Sequence, residues 1–244
     1  MLRDGRMIRV LGPIDIATPE GELSVGGRHA RALLGALASG VNHAVPIDHL
    51  EEVLWADDRP ASADNTLQSY VSHLRGLLGA DSIVRVDHSY QLNVGPADID
   101  ALRFEALLVE AAALEEMPEE RFRRCREALR LWRGRPFGDL ADDEAFKLET
   151  YRLEEMRLTA MEYSLEAELA LDRHELIVGE LESAVREHPY HERLWYLLIE
   201  ALARSGRRVE ALREVANVRR ILGDVGLQVG NDIAELERRV LDDA

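Results

Sequence analysis

The chain has 244 residues, a net charge of −16 and a hydrophobic fraction of 46%. That length fits one large or two ordinary domains, and that apolar content excludes wholesale disorder. No apolar run approaches the roughly 18 residues of a transmembrane helix, residues Met1–Arg6 lack a signal peptide's apolar segment, and the single cysteine, Cys125, excludes an internal disulfide, so a cytoplasmic protein without membrane contact is expected.

Apolar residues first alternate, at Ile8 and Val10, Ile14 and Ile16, then Leu23 and Val25, with Gly12-Pro13 and Pro19-Glu20-Gly21-Glu22 between them. Period two with turn residues predicts a small antiparallel sheet. From Gly27 the period lengthens. Ala30, Leu33, Leu34 and Leu37 mark a helix that stops at Ser39-Gly40. A second helix enters near Pro46, carries Ile47, Leu50, Val53 and Leu54 on one face, and ends at Trp55. The loop 56–63 follows.

Asp64 is the expected N-cap of a third helix. Leu67, Val71, Leu74 and Leu78 give it one apolar face, and Thr66, Gln68, Ser69, Ser72, His73 and Arg75 the opposite one. Two β-like runs, 83–86 and 90–94, flank Asp87-His88-Ser89 and read as a hairpin. Sheet, three helices and hairpin is the order of a winged helix-turn-helix with an added N-terminal sheet.

Gly95-Pro96-Ala97-Asp98 is a natural boundary, dividing the chain into residues 1–97 and 98–244. Helices are predicted at about 100–115, 119–133, 143–171, 175–188, 191–205, 208–223 and 231–242. Shifting the sequence by 34 aligns Ile177 with Ala211, Val178 with Leu212 and Leu181 with Val215. That period is the one of tetratricopeptide helix pairs, which stack and leave a concave face. The expected class is mainly α with a small β part: a winged helix followed by an all-α, tetratricopeptide-like domain.

Charge is unevenly shared. Residues 1–97 carry eight arginines against twelve acids, net −4, and residues 98–244 carry twenty-two cations against thirty-four acids, net −12. A polyanion is repelled by the second part far more than by the first.

Several stretches resemble one family in that family's order. They are Val10-Leu11-Gly12-Pro13, Arg31-Ala32-Leu33-Leu34, Leu50-Glu51-Glu52-Val53-Leu54-Trp55, Leu67-Gln68-Ser69-Tyr70-Val71-Ser72-His73-Leu74-Arg75, Leu131-Trp132-Arg133-Gly134, Pro136-Phe137-Gly138-Asp139-Leu140, His188-Pro189-Tyr190 and Gly206-Arg207-Arg208. The first part resembles an OmpR-type winged helix. The whole chain, from about residue 7 to 242, resembles the Streptomyces antibiotic regulatory protein family, with residues 98–244 similar to its bacterial transcriptional activation domain. The resemblance implies an activator that binds double-stranded promoter DNA and recruits RNA polymerase holoenzyme, often as a homodimer. It makes residues 64–78 the recognition helix and 83–94 the wing, and it turns the loop carrying Asp57, Asp58 and Arg59 toward polymerase. His73 and Gly76 stand where the family usually has arginine.

The candidate DNA contacts are therefore Asn65, Thr66, Gln68, Ser69, Ser72, His73 and Arg75 on the helix and Arg85 and His88 on the wing. Arg28 and Arg31, at the start of the first helix, complete the set. Gln bonds adenine bidentately, Ser and Thr meet bases or phosphates, and Arg takes guanine or phosphate. Arg28, Arg31 and Arg85 suit phosphate positioning, which carries no sequence information. His73 and His88 titrate near neutrality, so at the DNA backbone they would strengthen binding as pH falls.

The same polar face also fits a merely solvated helix, and the sparse cations keep a second reading open: a winged helix that no longer reads DNA and regulates through protein contacts. No enzyme, metal or cofactor is expected. Pro189 separates His188 from His191, His174-Glu175 lacks a zinc protease's second histidine, and the phosphate-binding Gly-x-x-x-x-Gly-Lys is missing. Cys125, in Arg123-Arg124-Cys125-Arg126, has basic neighbours that would lower its pKa if the thiol shared their surface.

Overall fold

A computed structural model describes residues 5–56 and 58–242. It is mainly helical with a small β part, as the sequence predicts. The chain forms two compact units. One comprises residues 1–109 and 127–158, the other residues 110–126 and 159–244.

The first unit opens with strands β1 (Met7–Arg9), β2 (Asp15–Thr18) and β3 (Gly21–Leu23), an antiparallel sheet in that order. Ile8 pairs with Ile16, both fully buried, so the sheet has one core face. Helices α1 (Arg28–Ser39), α2 (Ile47–Trp55) and α3 (Ala63–Leu78) follow, bounded as the periodicity predicts to within a residue or two. A second sheet has the order β4 (Val45–Pro46), β6 (Ser89–Leu92), β5 (Ile83–Val86). Its hairpin is the wing. Two details differ from expectation. Helix α3 begins one residue earlier, at Ala63, with Ser62 at the cap and no side-chain cap hydrogen bond, so Asp64 lies in the first turn rather than at the N-cap. Ser89 belongs to β6, which leaves a two-residue turn with Asp87 at φ 50.

The segment Val10–Pro13 gathers contacts from far along the chain. Asp100, only 1% exposed, opens helix α4 (Asp100–Ala112) and accepts the N–H groups of Val10 (2.8 Å) and Leu11 (3.1 Å). Burial pushes its pKa up to about 6 against those two bonds and the pull of Arg133. Arg133 donates to Asp15 (2.9 Å) and to the Pro13 carbonyl (3.0 Å), and its own N–H reaches the Leu11 carbonyl at 2.8 Å. The Phe137 N–H meets the Val10 carbonyl at 2.8 Å. Gly138 has φ 57, and a Cβ there would lie 2.8 Å from the Pro13 Cα; a Cβ on Gly12 would lie 3.0 Å from that of Arg133. Two of the stretches that carry the family resemblance, Val10–Pro13 and Pro136–Leu140, are thus packed on each other.

Helices α5 (Pro118–Leu129) and α6 (Glu144–Ala170) are shared between the units' sequence segments. The second unit continues with α7 (His174–Glu187), α8 (Glu192–Arg204), α9 (Arg208–Asp224) and α10 (Asn231–Asp242). Its contacts run mainly between successive helices, α7 with α8 and α8 with α9, and α10 packs on α8 and α9. The starts of α7 and α9 lie 34 positions apart, and Ile177, Leu181, Ala211 and Val215 are all buried. Ion pairs lace the surface: Arg193 with Glu166 (2.5 Å), Arg173 with Glu119 (2.9 Å), Arg239 with Glu200 (3.2 Å), and Arg219 with Glu237. Cys125 is fully buried, and burial pushes its thiol up to about 11, outweighing the opposite pull of Arg121. Among the described residues, no helix is long and apolar enough to cross a membrane.

Candidate nucleic-acid interface

Helix α3 buries Ala63, Leu67, Val71, Leu74 and Leu78, spaced to keep one face on the core. The rotation that buries them turns Asn65, Gln68, Ser69, Ser72, His73 and Gly76 to solvent, with Thr66 and Arg75 half-buried. Thr66 and Ser69 donate their hydroxyls to the carbonyls four residues back, at 3.0 and 2.9 Å. Each hydroxyl keeps lone pairs for an outside donor. Gln68 and Ser72 have no side-chain hydrogen bond among the described residues. His73 Nε2 donates to the Val25 carbonyl at 3.0 Å, so the ring ties α3 to the loop before α1.

Arg75 Nε donates to the Ile83 carbonyl at 2.8 Å, which fixes α3 against the wing's first strand. Arg85, exposed on that strand, reaches only the Asp87 carbonyl, at 3.4 Å. Among the described residues neither arginine has a carboxylate partner. His88, at the wing tip, lies 3.6 Å from Asp48.

The arginines of α1 are in another situation. Arg28 Nη2 spans both oxygens of Asp143 at 2.6 and 2.5 Å. Arg31 Nη2 meets Asp139 at 2.8 Å. The structure thus separates Arg28 and Arg31 from Arg75 and Arg85: all were expected to be open to phosphate, and the first two already hold carboxylates.

The loop between α2 and α3 is anchored beneath its surface. Glu51 is 2% exposed, and Arg59 lies over it at 2.5 Å while also reaching Asp64 at 3.5 Å. Burial, with a hydrogen bond to Asp64, raises the Glu51 pKa. Arg59 is therefore a tether for this loop. Asp58 remains exposed, and Asp57 lies outside the described residues.

Comparison with known proteins places this geometry. Residues 99–241 match the bacterial transcriptional activator domain. The chain is 33% identical to the regulatory protein DnrI of Streptomyces peucetius, over 96% of this chain and 91% of DnrI. The chain belongs to the Streptomyces antibiotic regulatory protein family. It is also 33% identical to the regulatory protein AfsR of Streptomyces griseus, over 98% of this chain but only 25% of AfsR, so it spans a quarter of that relative. A solved structure, Mycobacterium tuberculosis EmbR in complex with a low affinity phosphopeptide, matches all of this chain and 66% of EmbR at 30% identity with a TM-score of 0.92.

In this member of the family, sequence reasoning missed four residues that shape the interface. Glu51 looks like half of an ordinary surface pair with Glu52. His29, whose ring stacks 6.0 Å from Tyr70 and lies 6.3 Å from Trp55, ties α1 to α2 and α3. Asp139 and Asp143 lie more than a hundred residues from the arginines that they hold. The available signal was faint: one acid inside a family motif, Asp139, and one three residues beyond it, Asp143, in a segment assigned to the other domain.

Proposed function

We propose that this chain is a DNA-binding transcriptional activator, in which residues 1–97 carry the reading surface and residues 98–244 the contacts with protein. The observation that carries this reading is the α3–wing surface. It joins an exposed row of amide and hydroxyl side chains to Arg75 and Arg85, two arginines without carboxylate partners among the described residues. A helix of this kind suits the major groove, with Gln68 and Asn65 matched to adenine and Ser72 to a base or phosphate. The relatives' descriptions as regulatory proteins support the same reading. By family analogy the chain acts in the bacterial cytoplasm, contacts RNA polymerase holoenzyme through the Asp57–Asp58–Arg59 loop, and self-associates on direct repeats.

The test is selection of bound sequences from a random duplex library, followed by fluorescence anisotropy on the selected site across a salt series. Roughly three to five phosphate contacts per protomer predict a log–log slope of about −3 to −5, doubled for a dimer. Gln68→Ala is expected to relax base preference, and Arg75→Ala to weaken binding. A chain that enriches no sequence and binds no duplex at low salt overturns the reading. The pairing of Arg28 and Arg31 with aspartates favours the second reading, a protein-interaction regulator, and that outcome would leave it as the reading to test.

A further inference from the structure

We propose that Asp139 and Asp143 set the DNA affinity of this protein by occupying, as carboxylates, the phosphate-binding end of helix α1. This inference rests on the DNA-binding reading. A carboxylate held by a guanidinium takes up donors that phosphate oxygens would otherwise accept. Arg28 Nη2 donates to both oxygens of Asp143, and its Nη1 donates to the Asp139 carbonyl at 3.3 Å. Arg31 is aimed by two bonds, one to Asp139 and one to the Gly26 carbonyl at 2.7 Å. Helix α1 brings no acid of its own to its first turn, and its N-cap is Gly27, with no side-chain cap. The negative charge that a helix N-terminus favours is supplied from residues 139 and 143.

The two aspartates are held in place. Between Arg133 and Asp143 the backbone is fastened to Leu11 and Val10, and Gly138 sits so close to Pro13 that no side chain fits. The pairs themselves stay open to water: Asp139 is 56% exposed and Asp143 34%, so a phosphate can reach the arginines. When DNA takes Arg28 and Arg31, the aspartates remain beside the phosphates and repel them. Phosphate contacts are blind to sequence, so a standing carboxylate at α1 lowers affinity for every duplex alike and leaves discrimination to α3.

The experiment compares wild type with Asp139→Asn/Asp143→Asn and with that pair in an Arg28→Ala/Arg31→Ala background. Binding is measured by anisotropy to the selected site and to an unrelated duplex over a salt series. The asparagine pair is expected to tighten binding to both duplexes by about tenfold and to steepen the log–log salt slope by up to about 1.8, two phosphate contacts' worth. The ratio between the duplexes should stay unchanged, and the arginine-to-alanine changes should abolish the gain. Asp143→Asn alone gives a smaller gain of the same sign, and circular dichroism melts confirm that each variant is folded. If wild type binds while the asparagine pair shows unchanged affinity and slope, the gate is overturned and DNA binding stands. If no variant binds any duplex, the DNA-binding reading falls and takes the gate with it.

Discussion

The two compact units are stabilised in different ways. In the first, single residues join strands and helices that are remote in sequence. Asp100 receives two N–H groups from about 90 positions away, and Gly138 admits Pro13 where any side chain would clash. In the second, α7 packs on α8 and α8 on α9, α10 lies on both α8 and α9, and half-exposed arginine–glutamate pairs link helices two apart in the chain. A fold knitted by unique long-range contacts fails at a point. A stack of similar helix pairs loses stability by increments, because each interface contributes separately.

The largest effect expected from this contrast is at Gly138. A valine there combines a left-handed backbone with a β-branched side chain against the Pro13 backbone. Left-handed strain of about 1–2 kcal/mol and overpacking of about 1–3 kcal/mol make a total near 4 kcal/mol. Urea denaturation of Gly138→Val checks it; a loss under 1 kcal/mol would mean that the Pro13 contact yields. Next comes Leu198→Ala in α8, a side chain 1% exposed. A buried leucine truncation costs about 3 kcal/mol. Hydrogen exchange should show the loss first in α7, α8 and α9, and uniform loss of protection throughout the chain would break the contrast.

What the sequence discloses follows the same division. Helices α1 to α3 and α7 to α10 were legible because a 3.6-residue period is local, and the 34-residue shift repeats it. The exposed face of α3 followed from Leu67, Val71, Leu74 and Leu78 alone. By contrast, β4 is two residues long and has no period to detect. Asp100 reads as an ordinary helix-start acid until the Val10 and Leu11 N–H groups arrive from the far end of the chain. Arg28 and Arg31 look available because their partners lie beyond residue 97. Sequence pattern reports which face a residue takes, and only topology reports which remote charge faces it.

The third prediction uses pH. The folded-state pKa of Asp100 is raised from 3.8 to about 6, so the folded protein holds this proton more tightly than the unfolded chain does. Its contribution is fully present below about pH 4 and is lost as pH rises through 6. At 1.36 kcal/mol per pKa unit the loss is on the order of 2–3 kcal/mol. Asp100→Asn removes the titrating group and one of its two N–H acceptors, so the variant carries a constant loss, and its difference in stability from wild type should change by that amount between pH 4 and 7. A difference that stays constant with pH would show that the two N–H bonds offset the cost of burial.

The smallest effect tests the other side of the contrast. Arg219 on α9 reaches Glu237 on α10 with both terminal guanidinium nitrogens, Nη1 and Nη2, and both side chains touch solvent. Exposed pairs contribute about 1 kcal/mol or less, and salt screens them. Arg219→Ala should therefore lower stability by no more than about 1 kcal/mol in dilute buffer, with the difference from wild type shrinking at 1 M salt, roughly where the screening length falls to 3 Å. Calorimetric melts at the two salt concentrations read both quantities. A loss above 2 kcal/mol that survives high salt would mean that this pair is as singular as Asp100, and that the second unit also hangs on individual contacts.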